Sequence, residues 1–176
     1  MSKYLRIIIW LLFIVGGLFL AIFMDKVLFH TNYAEKGLFY HFVFALGVML
    51  LVLVLNNTGN VGRTLARHGR KSKDLERMQT DQLVTSGVYS MMRHPMNQSL
   101  MMFPMAIALI GVSPSFIFII APLEILAMYI MIRTIEEPET RKKFGQAYDD
   151  YCAKTPRFCF KWKCLKALCK NPDAKY

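Results

Sequence analysis

Two polar segments stand out at the ends of the apolar stretches of this chain. The first segment runs from Asp81 to Asn97, and the second contains Arg133, Glu136 and Glu137. On a helix, Glu137 stands four residues from Arg133 and Glu136 stands three, so either carboxylate can face the guanidinium. Such a group can serve a charged ligand, or it can be an ordinary surface ion-pair cluster. The two segments are therefore the first candidates for a functional site.

The rest of the chain is apolar enough to cross a membrane. Of its 176 residues, 55% are hydrophobic and 19% are charged, and the apolar residues form blocks at about 4–24, 37–55, 98–112 and 115–135. A bilayer core of roughly 30 Å needs about 20 helical residues, and the backbone inside it must satisfy its own hydrogen bonds. The sequence therefore predicts an all-α fold: one polytopic membrane domain over residues 1–176, with four transmembrane helices and cytoplasmic C-terminal helices.

A tight turn separates the third block from the fourth. It consists of Ser113, Pro114 and Ser115, and it predicts a helical hairpin. The segment from Asp81 to Asn97 enters this hairpin, and the segment from Arg133 to Glu137 leaves it. Both polar segments are therefore expected at the same membrane boundary and close together.

The basic residues predict the orientation. Four crossings would place the N-terminus, the connection 56–97 and the tail on one side, and that side would carry 20 of the 22 lysine and arginine residues. Cytoplasmic segments are enriched in these residues, so both termini are predicted to be cytoplasmic. The net charge of +10 is then explained by topology and by anionic lipid headgroups, and nucleic acid is not an expected partner.

Three local patterns predict structure outside the hairpin. The polar stretch 56–60 is predicted to end the second helix. Pro138 is predicted to begin a helix from Glu139 to Ala153, because proline is favoured in a first turn. The segment 158–170 mixes aromatic residues, cysteines and lysines, and it is either a segment lying on the membrane surface or a plain basic tail. One face of the helix that follows Pro138 carries Phe144, Ala147, Tyr148 and Tyr151.

The cysteines and one buried acid are interpreted as structural. The four cysteines, Cys152, Cys159, Cys164 and Cys169, all lie in the tail. A reducing compartment argues against disulfides, and a five-residue spacing does not favour a metal site, so they are expected to pack as small apolar residues. Glu124 lies near the middle of the fourth block, where an ionisable side chain is costly. It is expected to be uncharged and bonded to another helix, with His41 as one candidate.

The two polar segments and the residues that follow them resemble a known family. Leu83-Val84-Thr85-Ser86-Gly87-Val88-Tyr89, followed after three residues by Arg93-His94-Pro95, is similar to the signature of isoprenylcysteine carboxyl methyltransferases and their prokaryotic relatives. Phospholipid N-methyltransferases share the pattern, and their Glu-Glu-Pro variant is matched by Glu136-Glu137-Pro138. Phe144-Gly145, Tyr148, Tyr151 and Pro156-Arg157-Phe158 extend the resemblance, which covers about residues 80 to 160.

The resemblance implies an integral membrane methyltransferase that uses S-adenosylmethionine as cofactor. Its acceptor would be lipid-like or a small amphiphile: an isoprenylcysteine carboxylate, a phospholipid amine or a thiol. One carboxylate of the Glu136–Glu137 pair would receive the ammonium group of the cofactor, with Glu136 assigned to the cofactor and Glu137 to catalysis. Arg133 would orient the acceptor or balance the carboxylate. The remaining cofactor-binding residues implied by the resemblance are Gln82, Leu83, Val84, Tyr89, His94, Pro95, Met96 and Asn97.

Methyl transfer from a sulfonium, the reaction that the resemblance implies, needs few catalytic groups from the protein. The sulfonium leaves as a neutral group, so positioning and desolvation can supply most of the rate, and a base is needed only for an acceptor that must lose a proton. Two positions depart from the pattern: Asn97 stands where tyrosine is usual, and Asp81 where histidine is frequent. Two other classes stay open, an NADPH-dependent reductase resembling sterol reductases and a non-catalytic small membrane protein.

Overall fold

The computed structural model describes residues 3–30, 37–71 and 80–170. Within those ranges the chain is helical and contains no strand, which confirms the predicted all-α class. A 3₁₀ turn lies at Gly87–Ser90, and π-helical segments at Phe116–Ile120 and Ile132–Glu136 flank one of the helices. The α-helices are α1 (Lys3–Leu28), α2 (Leu38–His68), α3 (Pro95–Leu100), α4 (Phe103–Gly111), α5 (Ala121–Met131), α6 (Glu137–Phe144), α7 (Gln146–Lys154) and α8 (Trp162–Lys170).

Three helical stretches of the described chain are long and apolar enough to cross a membrane. They are Ile8–Leu28, Leu38–His68 and Phe116–Phe144, with 21, 31 and 29 residues. The prediction of four transmembrane helices is therefore wrong. The first, second and fourth predicted blocks each overlap one of these stretches over most of their length, and the third block does not form a continuous helix.

The third block fails because its helix is interrupted. α3 ends at Leu100 and α4 begins at Phe103. Pro104, in the first turn of α4, has no N–H to donate and would clash with the carbonyl four residues earlier, so an unbroken helix is disfavoured there. The nine residues of α4 rise only about 14 Å, less than half of a bilayer core.

α2 is longer than the sequence indicated. The stretch 56–60 was predicted to end it, but the helix continues to His68. Arg63 Nε donates to the Gly59 carbonyl at 3.2 Å, and Thr64 Oγ1 donates to the Asn60 carbonyl at 3.3 Å. These bonds lie within the helix, and Val61 and Thr64 are both buried. Tertiary burial therefore outweighs the weak helix propensity of the asparagines and the glycine.

The chain divides into two compact units. The first unit comprises residues up to Val52 together with Met101–Ile130, and the second comprises Leu53–Leu100 together with residues from Met131 onward. The core of the first unit is formed by Ala21, Ala108, Phe116, Ile120 and Ala121. The core of the second unit is formed by Val61, Val84, Val88, Tyr89, Met92, Cys164, Ala167 and Leu168.

The chain turns at Val112 and Ser113, slightly earlier than the predicted turn, and Pro114 and Ser115 are already helical. An acid fixes this turn within the first unit. Asp25 is fully buried near the end of α1. Its carboxylate accepts hydrogen bonds from the Ser113 hydroxyl at 2.5 Å and from the Ser115 backbone N–H at 2.7 Å. Ser113 Oγ in turn accepts from the Phe116 N–H at 3.2 Å. The Asp25 carboxylate therefore lies at the N-terminus of the helical stretch that begins at Pro114, where backbone N–H groups and the helix dipole favour an anion.

The helix predicted from Glu139 to Ala153 is divided into α6 and α7. Gly145 between them has φ +56°, a backbone conformation that residues other than glycine rarely adopt. Two members of the predicted face, Tyr148 and Tyr151, are buried, whereas Ala147 is exposed. The Tyr151 hydroxyl donates to the Tyr89 carbonyl. The face therefore docks through its two tyrosines.

A disulfide joins Cys159 to Cys164. The expectation of no disulfide is thus wrong for this pair: Cys159 lies before the start of α8, and the two Cα atoms are 5.9 Å apart. The expectation rested on a reducing compartment, an argument that takes no account of how closely the local fold brings the two cysteines together. Cys164 is also 3% exposed and belongs to the core of the second unit, so the packing expected of the cysteines is realised at this position.

Candidate carboxylate site

Two distant segments of the second unit pair through their backbones. The Arg93 N–H donates to the Pro156 carbonyl at 2.9 Å, and the His94 N–H donates to the Arg157 carbonyl at 3.1 Å. The Gln98 side chain extends the pairing, because it donates to the Cys159 carbonyl and accepts from the Cys159 N–H, both at 2.8 Å. The Arg-His-Pro motif and the Pro-Arg-Phe motif are therefore held side by side.

Glu137 lies between the two motifs and is 6% exposed. Arg93 Nη2 is 3.1 Å from Glu137 Oε1, and Arg157 Nε is 3.0 and 2.9 Å from the two carboxylate oxygens. His94 Nε2 is 3.4 Å from Oε1. Two guanidinium groups and an imidazole thus surround one buried carboxylate, an arrangement that compensates its charge where water cannot.

Glu136 is adjacent in sequence but differs in environment. Its side chain is 23% exposed, against 8% for that of Glu137. Asn97 Nδ2 donates to Glu136 Oε2 at 2.5 Å, and His94 Nδ1 is 4.0 Å from the same oxygen. The two carboxylates therefore flank the His94 ring. We name Arg93, His94, Asn97, Glu136, Glu137 and Arg157 the carboxylate cluster.

Burial lowers the pKa of His94 below its ordinary value of 6.5. Desolvation of the charged ring is the main cause, Glu137 acts in the opposite direction, and Arg93 and Arg157 lower the pKa further. His94 is therefore neutral at pH 7. A neutral ring adds no positive charge beside Glu136, which favours the approach of a cationic group.

Arg133 is not part of the carboxylate cluster. It is exposed, and within the described ranges it makes no hydrogen bond or ion pair to Glu136 or Glu137. The reason is the π-helical segment Ile132–Glu136. Its i→i+5 hydrogen bonds add a residue to the turn, so residues four apart no longer share a face as on an α-helix. The expected approach of Arg133 to Glu137 does not occur.

The other predicted cofactor residues separate into two groups. Pro95 begins α3 beside the cluster and is buried. Val84 and Tyr89 belong to the core of the second unit, and Met96 packs against it. Leu83 is half-buried, and Gln82 is exposed. The structure thus brings His94, Pro95, Asn97, Glu136 and Glu137 together and places Val84 and Tyr89 in the packing beneath them.

Arg93 and Arg157 were not among the predicted site residues, although both stand in the motifs that carry the resemblance. One signal in the sequence could have identified them. Glu137 precedes a proline at the end of an apolar stretch, so a buried carboxylate there requires compensating cations. Arg93 and Arg157 are the arginines of the two motifs. Which motif arginine reaches the carboxylate depends on the pairing of residues about 60 positions apart, which no local pattern specifies.

Arg93 Nε is buried and has no acceptor among the described residues. The Tyr148 hydroxyl is buried close to Glu137, Arg93 and Cys152, and burial is the main cause that raises its pKa. Both atoms are covered by protein. The more exposed carboxylate of Glu136 is therefore the part of this region that a ligand can reach.

Glu124 and His41, which were candidates to bond to each other, do not pair. His41 Nδ1 lies 3.1 Å from the Gly37 carbonyl. Glu124 is 3% exposed, and neither of its oxygens has a hydrogen-bond partner in the part of the chain that the structure describes. It lies against Gly17 of α1 and borders an apolar groove of about 470 Å³ in the first unit.

Comparison with known families gives one match. The model of the phospholipid methyltransferase family matches residues 41–147, a range that contains most of the carboxylate cluster and ends ten residues before Arg157. Searches of curated proteins and of solved structures each found no match.

Proposed function

Because the chain belongs to the phospholipid methyltransferase family, we propose that it transfers a methyl group from S-adenosylmethionine to a lipid-like acceptor at the carboxylate cluster. The observation that carries this proposal is the unequal state of two adjacent carboxylates. Glu137 is buried and charge-compensated by Arg93 and Arg157. Glu136 is more exposed and is oriented by Asn97, which suits it to a cationic ligand.

The residues of the cluster fit the amino-acid end of the cofactor. Glu136 would accept hydrogen bonds from the ammonium group, as the resemblance implies. When bound, the cofactor supplies an electrophilic methyl group. Glu137 has a supporting role in this scheme, because it holds Arg93 and Arg157 in place beside Glu136.

The acceptor would be positioned by Arg133. This arginine is exposed at the π-helical segment that leads into Glu136 and Glu137. A phospholipid amine is the acceptor class that the family favours, and its phosphate suits a guanidinium, which forms bidentate bonds to planar or tetrahedral oxyanions. Such an amine must be neutral to attack the methyl group. The neutral His94 ring adds no positive charge beside Glu136.

Binding measurements on detergent-purified protein test this proposal. S-adenosylmethionine and its demethylated product should bind, and NADPH should bind poorly. Glu136→Gln removes a charge-assisted hydrogen bond worth about 1.5–3 kcal/mol, so cofactor affinity should fall about tenfold or more. Glu139→Gln, an exposed acid three residues away on α6, is the matched control and should bind normally. Preferential NADPH binding, or unchanged affinity of a folded Glu136→Gln protein, contradicts the assignment.

The same preparation tests Arg133. Arg133→Ala should lower turnover of a phospholipid acceptor while cofactor affinity stays within a few-fold, and Arg133→Lys should restore turnover only in part, since an ammonium cannot reproduce the guanidinium fork. Arg141→Ala is the control: Arg141 is exposed and pairs with Asp149 at 2.5 Å. Equal turnover for Arg133→Ala and Arg141→Ala would remove Arg133 from the mechanism.

A further inference from the structure

The apolar face of α8 is already covered by protein. Cys164, Ala167 and Leu168 are between 1% and 3% exposed and form part of the core of the second unit. The disulfide between Cys159 and Cys164 fixes the segment that precedes the helix. α8 is therefore held by packing, and it is not a free amphipathic helix that inserts its apolar face into lipid.

The exposed side of α8, together with the two residues before it, combines large aromatic side chains with lysines. Phe160 is 68% exposed and Trp162 is 70% exposed. Lys161, Lys163 and Lys166 are exposed as well, and Lys166 Nζ lies 5.5 Å from the centre of the Trp162 ring. We name these five residues the aromatic–basic patch.

The charge of this patch is not balanced along the chain. From Cys152 to Lys170 the sequence contains six basic residues and no aspartate or glutamate. An exposed cluster of this kind attracts anions, and exposed tryptophan and phenylalanine beside lysine are typical of side chains that lie at a membrane–water interface. Lysine and arginine near a membrane respond to the negative potential of anionic lipids.

We propose that the aromatic–basic patch is a binding surface for the headgroups of anionic phospholipids in the bilayer that the apolar helices span. The lysines contact the phosphates, and Phe160 and Trp162 lie at the level of the headgroups. The patch shares no residue with the carboxylate cluster, so this proposal does not depend on the proposed function.

The test uses the fluorescence of Trp162 in the full-length protein. The chain contains two tryptophans, Trp10 and Trp162, so Trp10→Phe leaves one reporter. In nanodiscs that contain anionic phospholipid, Trp162 emission should shift to the blue and acrylamide should quench it less than in purely zwitterionic nanodiscs. High salt should reverse this difference, because exposed charges are screened.

Charge-matched variants identify the surface. Lys163→Gln with Lys166→Gln should abolish most of the response to anionic lipid, with about fivefold weaker lipid dependence for each lysine removed. Lys142→Gln with Lys154→Gln removes the same charge from exposed positions of α6 and α7 and should leave the response intact. Both double variants replace exposed side chains outside the core and should keep the melting temperature of the parent.

Three results would overturn the proposal. The first is equal protection of Trp162 in zwitterionic and anionic nanodiscs. The second is an equal loss of the response in both double variants, which would assign it to net charge alone. The third is protection of Trp162 by single-stranded RNA and not by anionic lipid, which would identify a nucleic-acid surface, since aromatic side chains among basic residues also stack with bases.

Discussion

In the first unit Asp25 is fully buried, and its carboxylate accepts hydrogen bonds from a serine hydroxyl and from the N–H at the start of a helical stretch. In the second unit Glu137 is nearly as buried, but its partners are two arginines and a histidine. Both solutions satisfy a carboxylate away from water. The first uses groups that the backbone and a turn already provide, so it fixes a helix connection. The second uses charged side chains from two other segments, those of Arg93 and Arg157. Several ionisable groups therefore lie close together in this unit.

Removing the charge of Glu137 should give the largest effect. Glu137→Gln leaves Arg93, whose side chain is 9% exposed, and Arg157 without their anion. Breaking a buried ion pair at one partner costs about 3–5 kcal/mol. We expect a melting temperature in detergent that is many degrees lower, and loss of cofactor binding.

Two variants set this result in context. Asp25→Asn removes the charge from hydrogen bonds to a hydroxyl and an N–H, each worth about 1.5–3 kcal/mol when one partner is charged, and retains one acceptor oxygen. It should destabilise less than Glu137→Gln. Glu136→Gln should change the melting temperature little and cofactor affinity strongly. If Glu136→Gln and Glu137→Gln lowered the melting temperature equally, the division of roles between the two carboxylates would be wrong.

A smaller effect is expected from packing in the first unit. A Cβ atom at Gly17 would lie 2.6 Å from Glu124 Oε1 and 2.9 Å from Ile120 Cγ2. Gly17→Ala therefore overfills the contact between α1 and the helical stretch that contains Glu124, at a cost of about 1–3 kcal/mol. Gly16→Ala is the control, because a Cβ atom there meets nothing within 4 Å.

Thermal unfolding in detergent measures both glycine variants. Adding Glu124→Ala to Gly17→Ala should recover part of the loss, since one of the close contacts disappears while Ile120 remains. Equal melting temperatures for Gly16→Ala and Gly17→Ala would mean that α1 does not pack against Glu124 as described.

The sequence predicted these two regions unequally well, for physical reasons. Three of four apolar blocks became candidate spans because length and hydropathy are local properties, and the turn near Ser113 was visible in the same way. The third block carried the same composition but contained Pro104, whose effect on continuity was underestimated. α2 passed through an asparagine-rich stretch because Val61 and Thr64 are buried by residues far along the chain. Burial of that kind is decided by tertiary contacts.

The site shows the same division. The two motifs were predicted to meet, and they do, because a hairpin brings its ends together. From α-helical spacing, Arg133 was expected to be able to face Glu136 or Glu137, but the π-helical segment changed the spacing. The arginines that do bind Glu137 come from residues 93 and 157. Pairing across 20 positions or more leaves no periodic trace in the sequence, so it could not be predicted from one chain.

The smallest predicted effect distinguishes the two units by pH. The folded-state pKa of His94 lies below 6.5, mainly because burial disfavours the charged ring. The unfolded chain therefore binds a proton more readily than the folded chain, so the free energy of unfolding should decrease as the pH falls through about 6.5 and continue to do so until the folded-state pKa is passed. Above that range the contribution of His94 to the free energy of unfolding is complete.

His94→Gln should remove this part of the pH dependence. Because the substitution also alters the contacts to Glu136 and Glu137, the melting temperature at one pH is not informative. The decisive quantity is the slope of the melting temperature between pH 7.5 and about 5. His41→Gln, which replaces an exposed histidine of the first unit, should retain the slope of the parent protein. A His94→Gln protein with the parent slope would show that the ring is not buried beside Glu137. A titratable group would then no longer distinguish the second unit from the first.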